Sequence, residues 1–569
     1  MHTVRLSILA ASISLLLACA VQPEASHSPE SPKSTQALQE AAIPQDASNV
    51  VDAETVASSE VGRLDALAAR TRAYAPVPSS PMSVTMPAPP LPPVYREIAN
   101  RENYAEITPN AVIVAREQPV STFSIDVDTG SFSNIRRILE SGQLPPADAV
   151  RTEELINWFD YGYAPPLSLA TPFAVHTELS SAPWNPQRQL LAIGLKGYQV
   201  DPSDIPASNL VLLIDTSGSM QSEDKLGLLK QSLGLLVERM RSQDRIAIVA
   251  YAGSAGLVLP STSGNNKATI LAALDRLEAG GSTNGGAGIE LAYATAQQNA
   301  VPGGVNRVLL ATDGDFNVGT VSIDALESLV RAKRQSGIAL TTLGFGRDNY
   351  NDELAEHLAD IGNGNHAYID RLDEARKVLV EEMSSTLLTI ASDVKIQIEF
   401  NPTVVAEYRL LGYENRALNR EDFNNDQVDA GEIGAGHDVT ALYELTLVGS
   451  GAVQVDPLRY AAAITNTPSG AELAWLKLRY KPKADAPSRL IEQAIRRDSQ
   501  RATPSSRLHL AANAAAFAEL LRGDGRLGAY SWRELQANLQ AQRSEGDASQ
   551  AEVLADLVNR AAALQSGNR

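Results

Sequence analysis

The chain has a single cysteine, Cys19, so no disulfide can form within it. It is short of positive charge: 48 Lys and Arg stand against 67 Asp and Glu, a net −19. That balance excludes nucleic acid as a partner, because binding it requires a basic surface that displaces counterions. An acidic surface spread along the chain serves mainly solubility. Histidines number seven and are scattered, with no pair at zinc-ligand spacing; His366 and His437 read as structural or exposed. The glycine-rich stretch Gly280–Gly288 lacks the Gly-Lys-Ser/Thr ending of a phosphate-binding loop. No apolar run reaches the roughly 20 residues of a bilayer span. The longest, Leu6 to Ala18, follows a short basic start and has the length of a signal-peptide core.

The remaining composition is that of a globular protein, 44% apolar and 20% charged, and 569 residues are too many for one core. From Ala20 to about Arg96 the chain is rich in Ala, Ser, Pro and Glu. It offers too little apolar surface to offset the entropy of ordering and reads as a tether, with a short helix within 55–71. Strands are expected at Val120 to Asp128, Phe173 to Leu179 and Leu190 to Gly194, and helices at Phe132 to Glu140 and Glu153 to Phe159. The pattern then changes. Leu210–Ile214, Ile246–Ala250, Val308–Ala311 and Ile338–Leu343 are apolar at nearly every position and alternate with helical periodicity. A parallel sheet covered by helices on both faces requires that arrangement. Leu226, Leu229, Leu233, Leu236 and Met240 form one helical stripe. The fold class is therefore α/β, a doubly wound parallel sheet, flanked by a β-rich sandwich-like region and a C-terminal helical segment.

After Ala391 antiparallel strands are expected at Val394 to Phe400, Val439 to Leu447 and Leu473 to Tyr480, followed by helices with a capping box at Ser531–Glu534. The β-rich segments before and after the α/β region form one sandwich if strands within 120–194 pair with strands within 394–480. The organisation reads as a leader over 1–18, a tether over 19–98, a β-rich flank over 99–200, the α/β domain over 201–388, and a β-rich then helical region over 389–569.

Two residue patterns carry chemistry. The first is Leu16-Leu17-Ala18-Cys19, which resembles the lipobox of bacterial lipoproteins, although Leu17 is a less usual residue at its place. The resemblance implies cleavage before Cys19, a lipid on its thiol and a membrane anchor at that residue. Ala20 lacks the aspartate that holds enterobacterial lipoproteins at the inner membrane. The expected place is the outer membrane or periplasmic side of a bacterial envelope.

The second begins where the first α/β strand ends, Asp215-Thr-Ser217-Gly-Ser219. Thr283 stands in the later Gly280–Gly286 loop, and Asp313 follows the Val308–Ala311 strand. Ligands of open α/β sheets bind at the carboxyl ends of strands beside a reversal in strand order. Five hard oxygens from three loops suit Mg²⁺, with Mn²⁺ or Ca²⁺ able to substitute. Asp215, Ser217, Ser219, Thr283 and Asp313 together resemble the metal-ion-dependent adhesion site of von Willebrand factor type A domains. That resemblance implies hydroxyl ligation by the serines and threonine, with the aspartates acting directly or through water. One coordination position stays open, to be filled by an Asp or Glu carboxylate of a protein partner. Its rim is expected from loops near Met220–Asp224, Asn284 and Asp315–Val318. The likeness extends to the flanks. Val120–Thr129, Gln143–Arg151, Glu153–Asn157 and Glu432–His437 look like a bacterial family of von Willebrand A-containing lipoproteins.

Other patterns fail on detail. Asp128-Thr-Gly-Ser131 is shaped like an aspartic-protease turn, but its would-be second copy at Asp215 lacks the glycine and sits in α/β alternation. Asp126-Val-Asp128 resembles the start of an aspartate-nucleophile phosphatase without its partners. Asp422–Asp426 begins like a calcium loop, yet Gln427 stands where the turn needs glycine, so a polar turn is expected. No nucleophile–base triad can be assembled, and no enzyme is expected. The reading is metal-dependent protein binding at the cell envelope. The alternative is an envelope scaffold with a structural metal.

Overall fold

The computed structural model describes residues 102–567 apart from 126–127, 315–321, 348–349, 383–386, 429, 457, 459–471, 484–485 and 544–547. The expected leader, Cys19, the tether and the helix within 55–71 lie outside the described residues, as does the phosphatase-like Asp126.

The α/β segment is a six-stranded sheet. Its spatial order is His366–Ile369, Ala339–Phe345, Val305–Thr312, Ser208–Asp215, Arg245–Tyr251, Ala255–Ser263. All neighbours are parallel except the last pair. Every residue of Ser208–Asp215 is buried. Leu210, Leu212 and Ile214 face one layer, where Leu229, Leu233 and Leu236 of the Leu228–Arg239 helix cover them. Val211 and Leu213 face the other, against Ile289, Ala292 and Tyr293 of the Gly285–Gln298 helix. Alternate side chains thus enter two cores, which is why the strand has no polar face. Each fully buried leucine or isoleucine contributes about 1.5–3 kcal/mol. The whole Leu226–Met240 stripe is buried. The antiparallel edge strand Ala255–Ser263 has no counterpart in the sequence reading, since most of its residues are only partly buried and carry no clear period.

The flanks pair with one another across that insertion. One antiparallel sheet runs Ile113–Val114, Val405–Leu411, Asp438–Leu447, Asn185–Gly197, Phe173–Ala182. In the other, Thr389–Phe400 lies between Val120–Ser124 and Glu472–Lys481, with Arg489–Arg496 at the edge and Ile433–Gly434 at its start. Each sheet therefore takes strands from both sides of the α/β segment. Leu191, Ile193 and Leu195 of Asn185–Gly197 point into the shared sandwich core with Ile396, Ile398 and Phe400. Leu190 and Ala192 point the opposite way, beneath a helical layer that includes Ser506–Arg522, Trp532–Arg543 and Ala548–Gly567. The Ser531–Glu534 box is half formed: the Glu534 carboxylate accepts from the Ser531 N–H at 2.8 Å and from its hydroxyl at 2.9 Å.

Arginines from the flank meet carboxylates of the α/β segment where the two abut. Arg151 lies 2.6 Å from Asp352 and 2.6 Å from Glu356. Arg416 reaches Asp360 at 2.6 Å and Glu356 at 3.1 Å, and Arg136 reaches Glu374 at 2.8 Å and also pairs with Asp370.

A candidate metal centre at the strand reversal

Ser208–Asp215 and Val305–Thr312 are neighbours, with Ile214 opposite Ala311. From the first of them the chain adds Arg245–Tyr251 on one side and later Val305–Thr312 on the other. The order of strands reverses here, and in open α/β sheets ligands bind at the carboxyl ends of strands beside such a reversal. Asp215 ends the first of these strands and Asp313 directly follows the second, and neither is solvent-exposed.

Asp215 is held from three directions. Its Oδ1 accepts from the Ser217 N–H at 2.8 Å. Its Oδ2 accepts from the Tyr251 hydroxyl at 3.2 Å and the Thr312 hydroxyl at 3.3 Å. Burial pushes its carboxyl up to about 6; the Asp313 charge adds to the rise, and the bonds from Ser217 and Tyr251 oppose it. The Ser217 and Ser219 hydroxyls lie 2.9 Å apart, the first buried and the second partly exposed. Thr283 belongs to a loop tied to this turn by its backbone: Gly280 N–H donates to Thr216 O at 2.8 Å, and Gly218 N–H to Gly281 O at 3.1 Å. Thr283 itself is partly exposed and is placed by its loop rather than by a bond from its own side chain.

The structure thus gathers Asp215, Ser217, Ser219 and Asp313 at one strand reversal and sets the Thr283 loop against them. Part of the expected rim differs. Met220 is fully buried, because the turn Gly218–Gln221 rolls it into the core beside Ile214 and Leu229. Asp315–Val318 lies outside the described residues. Asn284 is partly exposed, directly before the Gly285–Gln298 helix.

Two neighbours of Asp313 were missed from sequence. Lys225 Nζ donates to Asp313 Oδ2 at 2.8 Å, from a residue that is itself buried. The available signal was its place in the first turn of a helical segment, where the macrodipole disfavours a cation unless a carboxylate answers it. Gly314 has φ +84°, and a Cβ there would lie 2.3 Å from the Asn351 nitrogen. Only glycine lets the loop after Asp313 press onto that backbone.

The donor set suits a hard dication: two buried carboxylates beside clustered hydroxyls. Among the described residues no group of three or more His, Cys, Asp or Glu side chains could hold a metal. A cation held here therefore relies on the hydroxyls. The discarded motifs have structural work. Asp128 Oδ1 accepts from the His366 N–H at 2.7 Å, fastening the flank to the sheet edge. His366 is buried, its ring bonded to Tyr350 at 2.7 Å and Thr342 at 2.9 Å. The calcium-like segment is a short 3-10 turn, Arg420–Asn424, and Asp426 faces Arg479 at 3.2 Å.

A doubly wound sheet with these loops at its reversal is that of a von Willebrand factor type A domain, and the family model of that description matches residues 209–382. A second model, described as von Willebrand factor, matches 98–192, and one described as Uncharacterized protein YfbK, C-terminal, matches 385–564. The chain is 48% identical over 452 residues to the Uncharacterized protein YfbK of Escherichia coli (strain K12), covering 78% of each chain. It is 31% identical over 209 residues to the Uncharacterized protein sll0103 of Synechocystis sp., covering 36% of this chain and 48% of that one. The solved von Willebrand factor type A from Catenulispora acidiphila aligns with 72% of this chain and 90% of its own, at 15% identity and a TM-score of 0.39. The chain belongs to the YfbK family of von Willebrand factor type A domain proteins. Domains of this type commonly serve as protein-interaction modules and typically bind a divalent metal.

Proposed function

We propose that the chain is a metal-dependent protein-binding module of the bacterial cell envelope. The observation that carries this reading is the meeting of Asp215, Ser217, Ser219 and Asp313 at the sheet's one reversal, with the Thr283 loop bonded alongside. Ser217, Ser219 and Thr283 would offer hydroxyl oxygens, and Asp215 and Asp313 carboxylates. Mg²⁺ bound there, or Mn²⁺ or Ca²⁺ in its place, supplies a concentrated positive charge able to take a partner's Asp or Glu as a further ligand. On a chain of net charge −19 this gives an acidic partner a local point of attraction against the general repulsion.

The chain's own groups prepare that point. Tyr251, Thr312 and the Ser217 N–H fix the Asp215 carboxylate before any ligand arrives. Burial of both aspartates keeps water from screening them. Cys19, through a lipid on its thiol, would hold the module to the membrane, and the outer membrane or periplasmic side is the place proposed. No catalytic step is assigned to these residues.

The test is crosslinking in intact cells followed by mass spectrometry, with Mg²⁺ or with EDTA, for the wild type and Asp215→Ala. The reading expects one set of protein partners lost on chelation and absent from the variant. Partner capture that ignores both would favour a scaffold whose flanks make the contacts.

A further inference from the structure

Lys225 occupies an unusual position for a cation. It lies in Glu223–Gly227, a wide helical turn that leads into the Leu228–Arg239 helix, so it faces the positive end of the helix dipole. Wide turns of this kind recur at functional sites. The residue is buried, and a buried ammonium is costly unless paired. Its aliphatic stem crosses Gly346, whose φ is +81°; a Cβ there would lie 2.4 Å from Lys225 Cγ and Cε. Glycine at 346 leaves the stem a channel, and its end delivers Nζ to Asp313 Oδ2 at 2.8 Å. One of the two carboxylates of the candidate metal centre therefore already holds a cation belonging to the chain.

We infer that Lys225 is a built-in counter-ion that competes with the divalent metal for Asp313, so that metal uptake and withdrawal of the Lys225 ammonium are one event. The inference rests on reading these oxygens as a metal centre. An ammonium and a dication at contact distance from the same carboxylate oxygen repel one another strongly, so each disfavours the other there. In the metal-free protein the lysine neutralises Asp313 and keeps the loop ends together. Gly346 also lines a cleft of about 300 Å³, together with Glu140, Asp224 and Asp370. Asp224 sits beside Lys225 on the same turn and lies 3.5 Å from Arg347 across the cleft. Movement of the Glu223–Gly227 turn would thus carry the state of the metal centre to a surface bordered by Arg137 and Glu140 of the flank. Such coupling makes the apparent metal affinity weaker than the intrinsic one by the fraction of time the lysine is withdrawn.

Two measurements test this on the full chain, with Mn²⁺ alone as the probe. Calorimetric titration is expected to show Lys225→Met binding Mn²⁺ roughly 10-fold or more tighter than the wild type, because the competitor is gone. Equal or weaker binding by a folded Lys225→Met overturns the inference while leaving the metal centre intact. Absence of Mn²⁺ uptake by both proteins overturns the inference together with the metal reading beneath it. The second measurement needs no variant: reductive methylation with mass spectrometry, with and without saturating Mn²⁺. Lys225 is expected to be protected without the ion and labelled with it; labelling that does not change with Mn²⁺ contradicts the proposal.

Discussion

Arg151 Nη2 lies 2.6 Å from Asp352 Oδ2, an ion pair that joins the segment before the α/β sheet to a helix within it. Both side chains are almost completely buried, and Glu154 and Glu356 stand within 3.2 and 2.6 Å of the same guanidinium. Burial acts to raise the Asp352 carboxyl, but the charges and bonds of Arg151 and His366 hold it down at about 2. The desolvation cost of such a cluster offsets much of its attraction while the cluster is whole. Its importance shows when one member is removed.

Arg151→Met is expected to leave three carboxylates around a missing counter-charge and to cost about 3–5 kcal/mol of stability. Urea denaturation measures it. A loss under about 1 kcal/mol would show that the pair is not what holds the insertion to its flank.

Glu153 gives a pH dependence of known sign. Burial, with repulsion from Glu414, pushes its carboxyl up to about 7 from 4.5. The folded chain then keeps a proton that the unfolded chain has released. Stability contributed by this group is full below about 4.5 and falls as pH rises to about 7. Glu153→Gln stays neutral throughout. It should match the wild type near pH 4.5 and exceed it above pH 7 by up to roughly 3 kcal/mol. Denaturation at pH 4.5 and 8 tests this; a constant difference at both would contradict it.

Gly314→Ala replaces no candidate ligand. The new methyl would meet the Asn351 nitrogen and is strained at φ +84°. A stability loss of about 1–3 kcal/mol is expected, with weaker Mn²⁺ binding, because the loop carrying Asp313 must shift. Calorimetry and denaturation together check it. Unchanged metal affinity in the destabilised variant would show that Asp313 keeps its place independently of the loop.

Much of the fold was legible because it rests on local pattern. A strand such as Leu210–Ile214 must be apolar at every position to fill the cores on both faces of the sheet. Arg489–Arg496 was not legible, since an edge strand with mostly exposed or half-exposed residues has no period to read. Val405–Leu411 was missed for the opposite reason. A short, almost wholly buried run is ambiguous until its partners at Ile113–Val114 and Asp438–Leu447 are known. At the candidate site the oxygen-bearing residues follow a spacing and could be named from it. Lys225 follows none, because its pairing with Asp313 depends on how two loops meet. The arginine clamp was hidden likewise, since ion pairs between residues some 200 positions apart leave no local trace.

The central claim is that the carboxyl end of this sheet takes up a dication, and calorimetric titration with Mg²⁺ of the wild type and Asp215→Ala tests it most directly. The account predicts one ion bound by the wild type and none by the variant, with the same circular dichroism for both. Failure of the wild type to bind Mg²⁺, or binding unchanged in a folded Asp215→Ala, would contradict it.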